Sequence, residues 1–359
     1  MSTYRHRRVI VVVPAYNEAG TIAETIRALQ AQTRPVDRLV VVPNNCSDDT
    51  AAVAWAAGAE VWEMPGPNPH KKAGALNWAV NLLLPQLADQ DMLLVTDADS
   101  ILAPGAVAAA VRALERRRGV GAVCADYRLG RQPRLLDILQ GNEYARFSRW
   151  VWRKGGHAVV LSGVATLFPV PVVRRILAAR AAGDLPGYRG ELYHRDPATE
   201  DIEMTFAVRA LGYRPRVAPG FEAVTDSMPT VQALITQRVR WQRGMLDSLR
   251  LYGVCRWNAG NWLRQLGIYT TSLLVPLYLA SLIGGWFLIG FVPWDPRWLA
   301  LTAVFVLERA LTVRRQGWWA LLTAAALLPE WCYEQVRSFA YWRALAQTVR
   351  GTDRVWINS

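Results

Sequence analysis

Short apolar runs alternate with amphipathic segments through the first two thirds of the chain. The run Val9–Val13 predicts a buried strand, and in the segment Thr21–Gln32 the side chains of Ile22, Ile26 and Leu29 recur at helical spacing. The alternation continues through further predicted strands and helices, in chain order Leu39–Val42, Thr50–Ala57, Glu60–Glu63, Ala73–Leu87, Met92–Thr96 and Pro104–Arg117. This repeated order of strand, polar turn and helix predicts a parallel sheet in an α/β domain, with ligands beyond the carboxyl ends of the strands.

The pattern changes after Arg264. Residues 265–294 form a stretch of 30 positions without a charged side chain, longer than the roughly 20 that a helix needs to cross a bilayer. Arg250, Arg256 and Arg264 precede this stretch, and the cytoplasmic flanks of membrane helices are enriched in such residues. The stretch therefore predicts a transmembrane helix whose amino-terminal end faces the cytoplasm.

Two later apolar stretches are interrupted by charge. The first contains Glu308 and Arg309, and the pair Arg314-Arg315 separates it from the second. Two membrane spans, a re-entrant pair and two interfacial helices all fit this pattern. The expected division is a cytoplasmic α/β domain over 1–245, an amphipathic juxtamembrane segment over 246–264, and a membrane region over 265–359 that ends in an amphipathic tail, with 298–313 and 317–333 as the marginal segments.

No leader peptide is predicted. The basic run Arg5-His6-Arg7-Arg8 precedes only five apolar residues, too few for the apolar core of a signal peptide. The four cysteines are widely separated, so we expect neither a zinc site nor a disulfide framework. We expect a protein of the inner membrane whose amino-terminal domain lies in the cytoplasm.

The chain is strongly basic, with a net charge of +12 and a pI near 10. This charge favours an anionic partner, which could be nucleic acid, anionic lipid or a phosphorylated small molecule. The basic residues form no stripe with spaced aromatic residues before the membrane-proximal part, which argues against nucleic acid. Eleven of the 16 tryptophans lie at or beyond Trp241, a distribution typical of a membrane interface.

The triplet Asp97-Ala98-Asp99 lies at the end of a predicted buried strand. In the last residues of a strand, side chains at i and i+2 share a face, so the carboxylates of Asp97 and Asp99 can converge. Paired hard oxygens with open coordination positions suit Mg²⁺ or Mn²⁺ that also holds a diphosphate. A solvated acidic loop is the alternative interpretation.

Two more clusters combine residue types that bind substrates. Thr199-Glu200-Asp201 opens a predicted helix, where a threonine cap and acidic residues also stabilise the helix on their own. Near the membrane region, Arg240 and Arg243 lie on one helix face beside Trp241. Arginine forks bind phosphate oxygens and an indole stacks on a sugar ring, although contact with anionic lipid explains this cluster equally well.

Seven motifs follow one another in a defined order, namely V-P-A-Y-N-E at 13–18, N-N-C-S-D-D-T at 44–50, K-A-G-A-L-N at 72–77, D-A-D-S at 97–100, S-G-V-A-T-L-F at 162–168, T-E-D at 199–201 and Q-R-V-R-W at 237–241. Over residues 8–245 this series resembles the family 2 glycosyltransferases, specifically the membrane-integrated branch with cellulose, chitin and hyaluronan synthases. The resemblance implies a GT-A fold, a nucleotide diphosphate sugar as donor, a divalent cation, and inversion at the anomeric carbon.

The resemblance also implies a role for each matching residue. Asp201 would be the general base, Asp99 would bind the metal, and Lys72 would meet a phosphate. The nucleotide-sugar site would comprise Pro14, Tyr16, Glu18, Asn44, Lys72, Asp97, Gln237 and Arg240, and the acceptor site would comprise Glu200 and Trp241. One position departs from the pattern, because Asn44 stands where the family usually has aspartate. Its amide oxygen can accept the N3–H of uracil, but the charge is lost.

The predicted function is a membrane-bound inverting transfer of a sugar, with a UDP-sugar favoured as donor and Mg²⁺ or Mn²⁺ as cofactor. The acceptor would be a hydroxyl of a lipid or glycan, and the product a β-linkage. Processive synthesis of a longer polysaccharide with a partner export channel is the alternative, because Q-x-x-R-W is associated with processive synthases. Nucleotidyl transfer leaves the T-E-D and Q-R-V-R-W motifs unexplained, and only Asn44 favours an inactive scaffold that binds nucleotide-sugar or lipid.

Overall fold

A computed structural model describes residues 7–130, 134–290 and 297–351. The chain divides into two compact units. Unit 1 comprises the described parts of Met1–Gly130 together with Trp150–Asp226, and unit 2 comprises those of Arg131–Arg149 together with Ser227–Ser359. Each unit is therefore built from two separate stretches of sequence.

Eight strands form one sheet in unit 1. They are β1 (Val9–Ala15), β2 (Arg38–Pro43), β3 (Glu60–Val61), β4 (Met92–Thr96), β5 (Ile101–Leu102), β6 (Val120–Leu129), β7 (Ala165–Pro169) and β8 (Arg214–Thr225), arranged in the order β3-β2-β1-β4-β7-β6-β8-β5. Val11 of β1 pairs with Leu39 on one side and Leu94 on the other. Every residue of β1 and β4 is buried, so neither face of these two strands is in contact with water. Such strands are apolar throughout and not alternately apolar and polar.

The prediction of a parallel sheet is correct for six of the eight strands, including β6 and β8, which pair in parallel, and wrong for β5 and β7. Strands β3, β2, β1 and β4 run parallel, whereas β7 is antiparallel to both β4 and β6, and β5 is antiparallel to β8. The sheet is therefore mixed. Strand direction depends on how each connection crosses the sheet, and the local apolar pattern of a strand carries no information about it.

The helices fall at the positions that the apolar spacing indicates in the first part of the chain. They are α1 (Ile22–Gln30), α2 (Thr50–Ala56), α3 (Lys71–Leu83), α4 (Ala106–Glu115), α5 (Leu135–Arg153), α6 (Val170–Ala182), α7 (Glu200–Ala210), α8 (Val231–Tyr252), α9 (Ala259–Ile289), α10 (Arg297–Val313), α11 (Trp318–Ala325) and α12 (Leu328–Arg350).

A fully buried ion pair joins α6 to α7. The guanidinium of Arg180 lies 2.7 Å from a carboxylate oxygen of Glu203, and neither side chain has any exposed surface. Arg180 also donates to the carbonyl of Pro186, and Gly187 has φ of +121° and leaves the space that the guanidinium occupies. The pair thereby fixes the position of α7, whose first turn carries Glu200 and Asp201.

A second buried network holds unit 2 together. Glu143 of α5 accepts hydrogen bonds from Arg238 of α8, at 2.7 Å, and from the hydroxyl of Tyr333 of α12, at 2.5 Å. Burial opposes ionisation of Glu143, but the guanidinium groups of Arg238 and Arg337 outweigh it and lower the pKa to about 2. Three helices are thus joined through one carboxylate.

Helix α9 is the one described helix that is long and apolar enough to cross a membrane. Over Ala259–Leu288 the mean hydropathy of its most apolar window is 1.7, and none of that window is buried. The predicted span 265–294 overlaps this helix, and its residues 291–294 lie outside the described part of the chain. The marginal segments coincide with α10, of 17 residues, and with α11, of 8 residues, followed by the start of α12.

We predict that Glu203→Ala destabilises the protein by about 3–5 kcal/mol, because it leaves the Arg180 guanidinium buried without a counter-charge. The free energy of unfolding of the full chain in detergent, measured by denaturant titration, checks this. Glu115→Ala is the matched control, since Glu115 pairs with Arg7 at 3.1 Å on the surface and should cost less than about 1 kcal/mol. Equal losses in the two variants would contradict the prediction.

Candidate active site

Lys72 cross-links three elements of unit 1. Its ammonium lies 2.5 Å from an oxygen of Asp97, after β4, and 2.8 Å from an oxygen of Glu200, in the first turn of α7. Burial alone would lower the pKa of Lys72, but the carboxylates of Asp97, Glu200 and Asp201 raise it well above its ordinary value. Lys72 is therefore a permanent positive charge between acidic side chains that are far apart in the sequence.

Asp201 lies beside this ion-pair cluster. One of its oxygens accepts the backbone N–H of Gly163 at 3.2 Å, and the other accepts the N–H of Ile202 at 2.8 Å. Burial is the largest cause that raises the pKa of Asp201, the charge of Glu200 adds to it, and Lys72 opposes it, with the pKa at about 6. A carboxylate that titrates near neutral pH is suited to accept a proton from a hydroxyl.

The residue before this turn does not act as a side-chain cap. Thr199 occupies the N-cap position of α7 with extended backbone, at φ −141°, but its hydroxyl accepts no capping hydrogen bond. The Thr199 hydroxyl oxygen is buried without a hydrogen-bond partner among the residues that the structure describes. A side-chain cap therefore does not explain Thr199, whereas the acidic residues of the motif still lie in the first turn, where they complement the helix dipole.

Asp99 lies where negative charge accumulates. Its pKa is raised to about 7, first by burial and then by the charges of Asp97, Glu18 and Asp226, with Lys72 acting in the opposite direction. The described residues contain no group of three or more histidine, cysteine, aspartate or glutamate side chains placed to hold a metal ion. Asp97 and Asp99 nevertheless offer hard oxygens in an acidic environment, which fits Mg²⁺ or Mn²⁺ whose remaining ligands come from water and a diphosphate.

The loops after β1 and β2 are tied together. The N–H of Glu18 donates to the hydroxyl of Thr50 at 2.8 Å, and the side-chain oxygen of Asn17 accepts the N–H of Ser47 at 2.8 Å. Asn17 has φ of +53°, which asparagine tolerates better than most residues. Pro14 is buried in β1, whereas Tyr16 is 41% exposed, so the loop presents an aromatic ring to solvent.

Asn44 is oriented by a neighbour that the sequence did not indicate. The amide nitrogen of Asn68 donates to Asn44 Oδ1 at 2.8 Å and to the carbonyl of Lys71 at 2.7 Å, while Asn68 Oδ1 accepts the N–H of His70 at 2.9 Å. The backbone thereby fixes which end of the Asn68 amide faces Asn44. Asn44 Oδ1 already accepts a hydrogen bond from Asn68. The other polar atom of the Asn44 side chain is its amide nitrogen, which can only donate.

The remaining predicted site residues belong to unit 2. Gln237, Arg240 and Trp241 all lie on α8. The Arg238 guanidinium lies 4.3 Å from the centre of the Trp241 ring and donates to the side-chain oxygen of Gln237. Arg238 was not among the predicted site residues, but it contacts two that were, Gln237 and Trp241.

A family model described as "Glycosyltransferase like family 2" matches residues 6–244. The chain belongs to this family. The poly-β-1,6-N-acetyl-D-glucosamine synthase of Staphylococcus aureus is 25% identical over 246 residues, which are 66% of this chain and 54% of that protein. The enzyme of the same name from Staphylococcus epidermidis is 23% identical over 245 residues, which are 65% of this chain and 53% of that protein. The chain thus spans about half the length of these relatives.

Comparison with solved structures shows the fold. A mannosyltransferase from Pyrobaculum calidifontis, in complex with GDP-mannose and Mn²⁺, matches with a TM-score of 0.62 and 19% sequence identity, over 97% of this chain and 89% of that one. The mixed sheet of unit 1 is therefore a GT-A fold, as the sequence motifs implied.

In this family 2 glycosyltransferase, sequence reasoning missed Tyr193. Its buried ring lines a small pocket together with Lys72, Gly163 and Asp201. The side-chain amide of Asn77 holds it by exchanging two hydrogen bonds of 2.8 Å with its backbone. The sequence signals for Tyr193 are weak: it is one of two tyrosines in the loop 187–198, and Asn77 lies in the K-A-G-A-L-N motif.

We predict that Gly163→Ala lowers turnover by roughly tenfold to a hundredfold, as small displacements of catalytic groups do. A Cβ at Gly163 would lie 2.7 Å from the Lys72 ammonium and 3.2 Å from an Asp97 oxygen, so the ion pair must move. Steady-state kinetics of nucleotide diphosphate release check this. The control is Gly105→Ala, where nothing lies within 4 Å of the added carbon. Unchanged turnover in Gly163→Ala would show that the close packing is dispensable.

Proposed function

We propose that this chain transfers a sugar from a nucleotide diphosphate sugar, with inversion, to a hydroxyl of a lipid-linked or glycan acceptor. The observation that carries the proposal is the arrangement of Asp201, with its raised pKa, beside the Lys72 ion pairs with Asp97 and Glu200. A proton acceptor next to an ammonium that can contact the donor diphosphate suits a single displacement at a sugar carbon.

Asp201 accepts the proton of the acceptor hydroxyl in this proposal. The hydroxyl oxygen forms a bond to the anomeric carbon as the bond to the diphosphate oxygen breaks, and the configuration inverts to give a β-linkage. The backbone N–H of Gly163 holds one Asp201 oxygen, which fixes the direction of the carboxylate. No covalent intermediate is needed, because one in-line displacement gives the inverted product.

Asp99, together with Asp97, would hold Mg²⁺ or Mn²⁺, and the cation would offset the charge of the departing diphosphate. The mannosyltransferase of the same fold was solved with Mn²⁺ and GDP-mannose, which supports a divalent cation here. In the proposal Lys72, Gln237 and Arg240 contact the diphosphate, and Glu200 and Trp241 contact the acceptor. Pro14, Tyr16, Glu18 and Asn44 would form the nucleoside site, with UDP favoured by the family resemblance.

The proposed location is the inner membrane, with the catalytic domain over 1–245 in the cytoplasm, a juxtamembrane segment over 246–264, and a membrane region from 265 onward. The exposed apolar helix α9 supports this location. Its amino-terminal side carries the arginines that favour a cytoplasmic flank.

Processive synthesis is the second candidate, and the relatives favour it. The two staphylococcal proteins that the chain resembles are named as polysaccharide synthases. A longer polymer would then leave through a partner export channel. Sizing of the product made from a labelled donor distinguishes the two, because a single transfer gives one discrete product and processive synthesis gives a ladder of polymers.

We predict that Asp201→Asn lowers turnover by about a hundredfold or more, because an amide cannot accept the proton, and leaves donor affinity nearly unchanged. In the unmodified protein turnover should fall as the pH drops through the Asp201 pKa of about 6, since only the ionised carboxylate acts as base. Kinetics of diphosphate release across pH check both. Asp89→Asn, at a side chain 71% exposed, is the control. Full activity in Asp201→Asn would refute the base assignment.

We predict that Asn44→Asp increases the preference for UDP over CDP by roughly threefold to tenfold, the effect of one added hydrogen bond. One carboxylate oxygen keeps the hydrogen bond from Asn68, and the other accepts the N3–H of uracil, which cytosine lacks. Calorimetric titration with each nucleotide checks this. Asn81→Asp adds the same charge at an exposed position of α3 and should leave the preference unchanged. An unaltered UDP to CDP ratio would place Asn44 outside the base site.

A further inference from the structure

An arginine-lined pocket lies in unit 1, apart from the candidate active site. Three of the arginines, Arg112, Arg116 and Arg117, come from the last turn of α4 and the residues just after it, and the fourth, Arg216, comes from β8. Within 7–130, 134–290 and 297–351, no aspartate or glutamate lines the pocket. Its cavity volume is about 140 Å³, smaller than the roughly 300–1,000 Å³ of pockets that enclose a drug-sized molecule, so a ligand would place only a small group in it.

The sheet topology separates this pocket from the Lys72 cluster. Val120 pairs with Arg214 where β6 and β8 begin, and the pocket arginine Arg216 lies two residues further along. Strands β4 and β6 are both antiparallel to β7 and so run in the same direction. Asp97 follows the carboxyl end of β4, whereas the pocket lies toward the amino ends of β6 and β8. The two sites are therefore at opposite ends of the strands.

The arginines that line the pocket have no carboxylate as hydrogen-bond partner among the described residues. Within the described part of the chain, the side chains of Arg112, Arg116 and Arg117 form no hydrogen bond or ion pair. The nearest acidic residue in this turn, Glu115, pairs instead with Arg7 at 3.1 Å. Arg216 donates to the carbonyl of Gly155, a neutral group.

The arginines also act on each other and on their neighbours. Burial and then the charges of Arg117 and Arg214 lower the pKa of Arg216. The pKa of His157 is lowered first by burial and then by the charges of four arginines, Arg216, Arg209, Arg214 and Arg117. Basic residues at the end of a helix complement its dipole, which accounts for Arg112 but not for Arg216 and Arg214, because these two come from a strand.

An aromatic side chain that lines the pocket is held in place. The indole nitrogen of Trp152 donates to Asp126 at 2.7 Å. That hydrogen bond holds the ring and satisfies its one donor. The ligand would therefore meet a fixed aromatic surface surrounded by guanidinium groups, which bind phosphate oxygens in pairs.

We propose that this pocket binds a phosphate-bearing anion, through Arg112, Arg116, Arg117 and Arg216, at a site separate from the one that holds the donor. Two sources have this chemistry, a free phosphorylated molecule and the headgroup of an anionic lipid. The proposal does not depend on the identity of the sugar donor or on the base assignment of Asp201, because none of those residues lines the pocket.

The test measures binding of radiolabelled pyrophosphate to the full chain in detergent, with EDTA present, by equilibrium dialysis. Arg112→Ala/Arg117→Ala should raise the dissociation constant about tenfold or more, since two charge-assisted contacts are lost. The unmodified chain and the variant share the proposed donor site. Pyrophosphate bound there therefore does not contribute to the difference between their dissociation constants. Both side chains are exposed, so circular dichroism should show an unchanged fold.

The control removes two arginines elsewhere in unit 1. Arg27→Ala/Arg128→Ala takes away the same charge at exposed positions outside the pocket and should leave the dissociation constant within about twofold. The proposal is overturned if the pocket variant, Arg112→Ala/Arg117→Ala, binds pyrophosphate as tightly as the unmodified chain. It is equally overturned if the control weakens binding as much, because the effect is then one of net charge.

Reconstitution distinguishes the two sources of the anion. The same measurement is made in vesicles of phosphatidylcholine, with and without phosphatidylglycerol. Displacement of pyrophosphate by phosphatidylglycerol, lost in the pocket variant, supports a lipid headgroup as the ligand. Pyrophosphate binding that is insensitive to phosphatidylglycerol, but weakened by the pocket variant, supports a free phosphorylated molecule.

Discussion

The ammonium of Lys72 compensates two carboxylates that come from distant parts of the sequence, and the other features of the candidate active site depend on it. Clustered carboxylates that are partly removed from water repel each other unless a cation lies among them. Lys72 brings the end of β4 and the first turn of α7 within hydrogen-bonding distance of one atom. A compact ammonium suits this place better than a planar guanidinium, because it must fit beside Gly163, where even a methyl group would crowd it.

The hydrogen bonds around Asn44 determine which of its side-chain atoms a ligand can contact. Asn68 has its amide fixed by two backbone groups, and it passes that orientation on to Asn44. Gly74 makes this possible, because a side chain there would overlap the Asn68 amide. The replacement of aspartate by asparagine at position 44 is therefore more than the loss of a charge, since the neighbouring amide decides which of its atoms is available.

Sequence reasoning could predict the features that depend on neighbours along the chain. The strands of the first half, the α/β class and the acidic end of β4 all follow from local apolar spacing and from motifs. The direction of β7 could not be predicted, because it depends on the path of the chain over the 35 residues between β6 and β7. The Lys72 ion pairs, the Asn68 contact and the position of Tyr193 also depend on residues that are 24 to 128 positions apart in the sequence, and no local pattern encodes such pairs. Residues 134–149 group with the carboxyl-terminal helices, a division that no change in composition marks.

The exposure of α9 determines how this protein can be handled. Large apolar side chains such as Phe287 and Leu288 are 82% and 88% exposed, and water around so much hydrocarbon carries a large free-energy cost. In plain buffer the exposed apolar surface of α9 favours association between copies of the chain. A molecular mass measured without detergent or lipid would then report aggregation through α9 and would say nothing about a functional assembly.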